Sequence, residues 1–236
     1  SGAAVQASEI DDRVIDSAKN SYVFKTHLKD DNIKVESNEG AVTLKGTVNE
    51  ESHKNLAEDT VSSLPGVVKV DNQLTMKDET PQQGSDAWVS VKVKSAFLFY
   101  RNVSATRTKV DVKDGIVTLR GEAYSQAEKD LASEYAKDVE GVKGVKNEMT
   151  IVSPTKETTE TLSEKIDDAS ISAQVKGALL FNRSTSALKT NVNTDNGIVT
   201  VKGTAKNMAE KDLVTKLVSD INGVKGVVNE IEVKVQ

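Results

Sequence analysis

Eight residues, DGIVTLRG from Asp114 to Gly121, admit two opposite interpretations. They could form a glycine loop that holds a phosphate group, or the bend and the end of a β-hairpin. A phosphate loop requires a helix directly after its last glycine, with Lys and Ser or Thr at its start. Here Glu122 and Ala123 follow, and the residues between the glycines alternate between apolar and polar as in a strand. The pattern predicts a hairpin that turns at Gly115 and ends at Gly121.

The same string occurs three times in the chain. EGAVTLKG ends at Gly46 and NGIVTVKG ends at Gly203, and a second shared string follows each copy. The three downstream strings are LPGVVKVDNQL from Leu64, VEGVKGVKNEM from Val139 and INGVKGVVNEI from Ile221. Both strings keep the same spacing between successive copies. Because a repeat at fixed spacing indicates a repeated structural unit, the chain is predicted to contain three homologous domains.

Polar segments with proline separate the three units. These segments, KDETPQQGS and SPTKETTETLSE, have the composition of linkers. We predict domains at residues 8–77, 85–153 and 163–236, with linkers at 78–84 and 154–162. Units of about 70 residues are near the lower limit for an independent core, so packing of one unit on another is plausible. The opening SGAAVQASEIDD is predicted to be a disordered leader, with the tail of a signal peptide as the alternative.

Each unit has the pattern of two helices and three strands. In the middle unit Val89, Val93 and Ala96 recur at helical spacing, two alternating strands follow, and a second amphipathic helix precedes the last strand. The fold class is therefore α+β, with three tandem α-β-β-α-β domains, each a three-stranded mixed sheet packed against two helices. An aspartate stands before the first helix of each unit and is predicted to cap it; these are Asp11, Asp86 and Asp168.

The turn-and-strand string and the closing G-V-x-x-V-x-N resemble the BON domain of OsmY-like bacterial proteins. The motif positions are Gly40, Gly46, Gly115, Gly121, Gly197 and Gly203, together with Asn72, Asn147 and Asn229. The resemblance implies a non-enzymatic module of the bacterial periplasm or cell envelope, linked to osmotic or envelope stress, with a processed lipoprotein as one form. Such modules are expected to bind phospholipid surfaces or other envelope components. The glycines imply backbone geometry and not chemistry.

The chain lacks the residues that several classes of function require. The chain has no cysteine, and its net charge of −5 argues against a nucleic-acid partner. No apolar run approaches the ~18 residues of a membrane span, so the chain is predicted not to be membrane-spanning. Its two histidines, His27 and His53, have no metal-ligand spacing and are predicted to be exposed on the surface. We predict no catalytic residues, no metal and no cofactor.

The middle unit carries the candidate binding residues. Trp88 and Tyr100 have no aromatic counterpart in the other units, whereas Phe99 aligns with Phe24 and Phe181 and is predicted to be core. Aromatic tips beside cations are typical of a membrane interface. We predict that Trp88 and Tyr100 insert shallowly while three cations contact phosphate: Lys92, Lys94 and Arg101. The alternative for Trp88 is packing on a neighbouring unit.

Two functions follow from these residues. The first is peripheral association with an anionic phospholipid membrane surface. The alternative is a periplasmic chaperone or a multivalent scaffold that binds envelope proteins, in which several weak surfaces joined by linkers act together.

Overall fold

A computed structural model describes residues 2–155 and 165–234. Within these ranges the chain forms three repeated α+β units, as the repeats predict. The first unit contains, in chain order, α1 (Gly2–Asn20), α2 (Tyr22–Lys25), β1 (Asn32–Asn38), β2 (Ala41–Val48), α3 (Glu51–Ser62), β3 (Lys69–Asn72) and β4 (Thr75–Met76). Since α1 begins at Gly2, the prediction of a disordered leader is wrong; Val14 and Ala18 of this helix are buried.

The middle and third units repeat this order with an unbroken first helix. The middle unit contains α4 (Asp86–Phe99), β5 (Thr108–Lys113), β6 (Ile116–Ala123), α5 (Gln126–Lys137), β7 (Gly144–Asn147) and β8 (Thr150–Ile151). The third unit contains α6 (Asp168–Phe181), β9 (Thr190–Asp195), β10 (Ile198–Ala205), α7 (Met208–Ser219) and β11 (Gly226–Val233). Most of the linker predicted at 154–162 lies outside the described residues.

Each sheet is mixed and has the second strand of the hairpin at its centre. In the middle unit β5 pairs antiparallel with β6, and β6 pairs parallel with β7 and β8. The last strand is interrupted in the first two units, whereas β11 is continuous. Alternate residues of β6, among them Val117 and Leu119, are fully buried beneath the helices. The predicted layer of two helices on one sheet is therefore confirmed.

The hairpin turn is fastened by the aspartate that was predicted to cap the helix. Asp114 (φ 51°) and Gly115 (φ 78°) both have positive φ, which is the geometry of a type I′ turn. Their backbone amides donate to the carboxylate of Asp86 over 2.9 and 3.0 Å. These hydrogen bonds, that of Gly115 foremost, lower the pKa of Asp86.

The helix-cap prediction is wrong for all three aspartates. Ser85 caps α4 and Asp167 caps α6, each accepting from the amide three residues ahead. Asp11 lies inside α1, where it accepts from the turn amides of Glu39 and Gly40, and Asp168 accepts from Asn196 and Gly197. The carboxylates therefore hold the hairpin tip of each unit against its first helix.

The second glycine of the string lies inside the strand and not at its end. β6 continues two residues past Gly121 to Ala123. Gly121 has φ 112°, and a side chain there would overlap the carbonyl oxygen of Arg107. Because the neighbouring backbone passes this close, glycine is required by space as well as by φ.

The asparagine of the closing motif joins the last strand to the second helix. The amide nitrogen of Asn147 donates to the carbonyl of Lys129 (2.7 Å) and to the hydroxyl of Ser133 (2.8 Å) on α5. Its side-chain oxygen accepts from the amide of Met149 over 3.1 Å. Asn72 and Asn229 make the equivalent bonds. In each unit one side chain thus joins the last strand to the second helix.

The three units pack together and share one continuous hydrophobic core. The first unit packs α3 on α6 of the third. The backbone amides of Tyr22 and Val23 donate to Asp167 (2.8 Å) and Ser170 (3.0 Å). Gln174 of α6 is fully buried at this junction. The units are therefore joined by interfaces as well as by linkers.

Both histidines are buried, so the prediction that they are exposed is wrong. His53 is 9% exposed, and its Nδ1 lies 2.6 Å from the carboxylate of Asp31. His27 is 8% exposed and lies between the first and third units, with Nε2 3.3 Å from the side-chain oxygen of Gln174. Burial lowers the pKa of His27 to about 4.

We expect His27 to make folding sensitive to mild acid. Above an unfolded pKa of about 6.5 the ring is neutral in both states. As the pH falls from about 6.5 to 4, the unfolded chain takes up a proton that the folded chain refuses, so stability is lost. The free energy of unfolding should fall by roughly 2–3 kcal/mol more in the wild type than in His27→Gln between pH 7 and pH 4.5. Urea unfolding at both pH values measures this difference; equal losses would contradict it.

Candidate functional site

Helix α4 of the middle unit presents three different faces. Val89, Val93 and Phe97 are buried in the core. Trp88, Lys92 and Phe99 point to the neighbouring units, and Lys94 and Leu98 are exposed. Successive residues are rotated by 100° about the helix axis, so these three sets lie on separate sides of α4. The candidate residues predicted from sequence therefore fall on two different surfaces.

Phe99 lies where the three units meet. Its ring is 1% exposed, 5.4 Å from the ring of His27 in the first unit and 5.9 Å from that of Phe181 in the third. Gly177 of α6 lies against it, since a Cβ there would come within 3.0 Å of the Phe99 ring. Its prediction as a core residue fits this position, and the core is one shared between units.

Tyr100 is buried between the middle and third units and does not reach the surface. It is 5% exposed, and its ring stacks on Tyr135 with centroids 3.8 Å apart and planes 5° apart. The hydroxyl of Tyr135 donates to Asp220 over 3.1 Å. Burial, with the nearby carboxylates, raises the pKa of both tyrosines. The predicted shallow insertion of Tyr100 is corrected: its ring belongs to an interface.

Arg101 is likewise an interface residue. Its Nη2 donates to the carbonyls of Ile221 (2.7 Å) and Val224 (2.6 Å) in the third unit. In return, Nη2 of Arg183 donates to the carbonyls of Val139 (2.9 Å) and Val142 (2.6 Å) in the middle unit. Carbonyl oxygens thus take both protons of Nη2, while the residue as a whole is exposed, and the phosphate contact of Arg101 stays a prediction.

These reciprocal bonds relate the middle and third units by an approximate two-fold axis. The backbone repeats the exchange, since Asn222 donates to the carbonyl of Phe99 (2.8 Å) and Glu140 donates to that of Phe181 (3.1 Å). Self-complementary contact of this kind is what two-fold interfaces show between subunits. Here two repeats of one chain make it, and the first unit, which has Thr26 in place of the arginine, packs differently.

Trp88 and Lys92 face a cleft between units. The ammonium of Lys92 lies 3.6 Å from the ring centroid of Trp88 and 5.7 Å from that of Phe181. It also lies 3.6 Å from the carboxylate of Glu140. Burial lowers the pKa of Lys92, and Glu140 opposes that shift. Lys92 is therefore occupied by an aromatic face and a carboxylate, in contrast to the predicted phosphate contact.

Lys94 lies on the outer surface of the middle unit, where it borders a shallow depression. The lining consists of Lys94, Leu98, Ala105, Thr106, Thr108, Lys109 and Val110. Lys94 and Lys109 are exposed, and Leu98 is 40% exposed. No carboxylate contributes to this lining. We call these residues the outer patch.

The geometry and the repeats agree with the comparison to known families. The sequence model of the BON domain matches the chain at residues 10–78, 85–153 and 167–235. The chain belongs to the BON domain family. The resemblance inferred from the repeated strings is thereby confirmed, and the outer patch lies in the second BON unit.

Curated relatives of this BON chain match it over about two domains. Osmotically-inducible protein Y of Escherichia coli (strain K12) is 30% identical over 149 residues, which are 63% of this chain and 73% of that protein. The outer membrane lipoprotein DolP of Haemophilus influenzae is 32% identical over 142 residues, covering 58% and 73%. The 21 kDa hemolysin of Actinobacillus pleuropneumoniae is 30% identical over the same shares. These similarities support an envelope-associated BON-domain protein.

Solved structures give only distant likenesses to the BON chain. The C-terminal domain of CdsD, from the type III secretion system of Chlamydia trachomatis, is 16% identical, with a TM-score of 0.25 over 90% of this chain and 95% of that one. The periplasmic domain of PrgH is 11% identical, with a TM-score of 0.20 over 86% and 95%. Scores this low contribute nothing to fold or function.

Within residues 2–155 and 165–234, no group of three acidic or histidine side chains is arranged to hold a metal ion. None of the helices described there is both long and apolar enough to cross a membrane.

The reciprocal arginines of the BON units had a signal in the sequence. Arg101 and Arg183 stand at equivalent positions, two residues after the aligned Phe99 and Phe181. A comparison of the repeats for residues that occur in one unit alone selects Tyr100 as a binding residue. That criterion misses this pair, which two units share. A feature present in only two of three repeats is the pattern expected of an interface between those two.

Proposed function

We propose that this protein is a non-enzymatic envelope protein that associates peripherally with anionic phospholipid through the outer patch of its second BON unit. The observation that carries the proposal is the composition of that patch. Two lysines and two threonines surround a depression with a volume of about 390 Å³, and no carboxylate lines it. The ammonium groups are donors, which suit the acceptor oxygens of a phosphate headgroup, whereas the hydroxyl of Thr108 already donates to the carbonyl of Ser104 over 2.7 Å.

The outer patch also offers a shallow apolar contact. Leu98, 40% exposed, lies one helical turn from Lys94 on the same side of α4. Lysine stems extend over apolar surface while their ammonium groups reach toward charged headgroups. Of the cations predicted from sequence, Lys94 lies on the outer patch, and Lys109 joins it from β5.

We expect the outer patch to determine binding to anionic vesicles. Each lysine near an anionic surface contributes ~1 kcal/mol, so Lys94→Gln with Lys109→Gln should weaken binding roughly thirtyfold. Co-sedimentation with phosphatidylglycerol-containing vesicles at low salt measures the affinity, which should fall as salt is added. The matched control is Lys34→Gln with Lys45→Gln, which makes the same change in net charge on the first unit. Equal weakening by both pairs, or by neither, would sink the assignment to this patch.

A scaffold of independent units agrees less well with the structure. That alternative places several weak surfaces on units joined by linkers. The shared core and the reciprocal arginine bonds hold the units against one another, which supports one multi-domain body with a defined surface.

A further inference from the structure

A cleft of about 600 Å³ lies where the three units and the first linker meet. This volume is within the range of small-molecule sites. Its apolar walls come from every part of the chain around it: Met76, Pro81, Trp88, Leu180 and Phe181. It is separate from the outer patch, which lies on another face of α4. A cleft formed by three units exists only when the units are packed together.

The polar lining of the cleft is predominantly acidic. Four carboxylates contribute to it, those of Glu50, Glu51, Glu79 and Glu140, against the single ammonium of Lys92. Glu51 pairs with Lys54 over 3.1 Å, and Glu50 accepts from the hydroxyl of Ser95 over 2.8 Å. Within the described part of the chain Glu79 has no ion pair. The cleft therefore has an excess of negative charge beside apolar walls.

The cleft already accommodates one positive group. The ammonium of Lys92 lies over the face of Trp88 and near Glu140, which is the environment that aromatic faces and carboxylates provide for ligand cations. Lys92 belongs to the protein, so its cation occupies part of the site. Removal of that cation would free the face of Trp88 and leave Glu140 unpaired.

We propose that this cleft binds a cationic amphiphile, that is, an aliphatic or aromatic group carrying one positive charge. The apolar part would lie against Trp88, Leu180 and Phe181, and the charge would lie among the glutamates. A long-chain ammonium compound has this chemistry, and so does a lysine side chain next to an apolar residue in a peptide. The ligand is opposite in charge to the one assigned to the outer patch, so the two proposals stand or fall separately.

Trp88, the sole tryptophan, reports occupancy of the cleft. The probe is dodecyltrimethylammonium below its micelle-forming concentration, and its matched partner is dodecyl sulfate, which has the same chain and the opposite charge. The full chain should show a saturable change in Trp88 emission with the cation, at least tenfold tighter than with the anion. Equal or tighter binding of the anion would overturn the proposal.

Substitutions in the cleft should change the affinity for the cation in opposite directions. Lys92→Met should tighten binding of the cation about tenfold, because it removes the competing ammonium. Glu79→Gln with Glu140→Gln should weaken binding at least fivefold. Lys146→Met, at an exposed position on β7 of the same unit that lines neither the cleft nor the outer patch, is the control and should leave the affinity unchanged. Weaker binding by Lys92→Met in a variant with wild-type circular dichroism and urea midpoint would overturn the proposal.

A competition experiment with peptides distinguishes a small cationic amphiphile from a lysine-containing peptide as the ligand. The amidated peptide Leu-Lys-Leu-Lys is added to the complex with dodecyltrimethylammonium, and Leu-Glu-Leu-Glu serves as its control. Displacement by the lysine peptide alone assigns the cleft to a peptide, and absence of displacement with a tight cationic surfactant assigns it to a small amphiphile. Displacement by the glutamate peptide alone would contradict a cation site.

Discussion

Replacement of Phe99 with alanine is expected to destabilise the protein by about 3–5 kcal/mol, the cost of removing a fully buried aromatic ring. The ring is 1% exposed and contacts the first unit through His27 and the third through Phe181. The cavity left by its removal would lie between three units, so no single unit can close it by a local shift. Urea unfolding, followed by circular dichroism, measures the change in free energy.

The neighbouring position provides the control for this prediction. Leu98 is 40% exposed on the outer face of the same helix, and Leu98→Ala should change stability by less than about 1 kcal/mol. Both variants keep a good helix former at the position, so the difference between them isolates the packing between units. If Phe99→Ala cost no more than Leu98→Ala, the interface between the units would not contribute to folding.

The fold of one unit follows from its sequence because its signals are local. Glycines at fixed positions in a period-2 pattern specify the hairpin, and Gly115 has the positive φ that the turn requires. The helical spacing of Val89 and Val93 specifies which side of α4 faces the sheet. Each of these features depends on residues close to one another in the chain.

The packing between units depends on residues far apart, and the sequence of one unit does not reveal it. Tyr100 and Trp88 have the amphipathic character of interface residues, but that character fits a protein interface as well as a membrane. His27 is polar and was predicted to be exposed, yet α6 of another unit covers it. Local patterns specify which face of a helix meets the sheet of its own unit. They do not specify whether another unit covers a second face of that helix.

The same distinction between local pattern and packing between units applies to the candidate site. Lys94 remains exposed on the outer patch, as a lysine on a helix is predicted to be. Lys92, two residues earlier, points 160° away by sequence and meets Trp88 and Glu140 in the cleft. The cations that sequence places together are therefore separated by the geometry of the helix and by the neighbours on one side of it.

Replacement of Gly121 with alanine is expected to destabilise the protein by at least about 3 kcal/mol, since it combines backbone strain with a steric overlap. At φ 112° an alanine is strained regardless of space, and its Cβ would overlap the carbonyl oxygen of Arg107. That carbonyl accepts from the amide of Glu122 over 3.1 Å, where β6 meets the start of β5. Relief of the overlap requires the two strands to separate, which would break this bond and expose the core beneath.

The matched control for Gly121 is a glycine in the same sheet with ordinary backbone geometry. Gly144 begins β7 without a positive φ, and a Cβ there would meet only the end of the Ile116 side chain, 3.2 Å away. Gly144→Ala should therefore fall within about 1 kcal/mol of wild type, since a flexible side chain can move and the unfolded chain loses entropy. Urea midpoints of the two variants decide the matter. Similar values would show that Gly121 is not constrained by the carbonyl of Arg107, and the equivalent positions Gly46 and Gly203 would lose their explanation too.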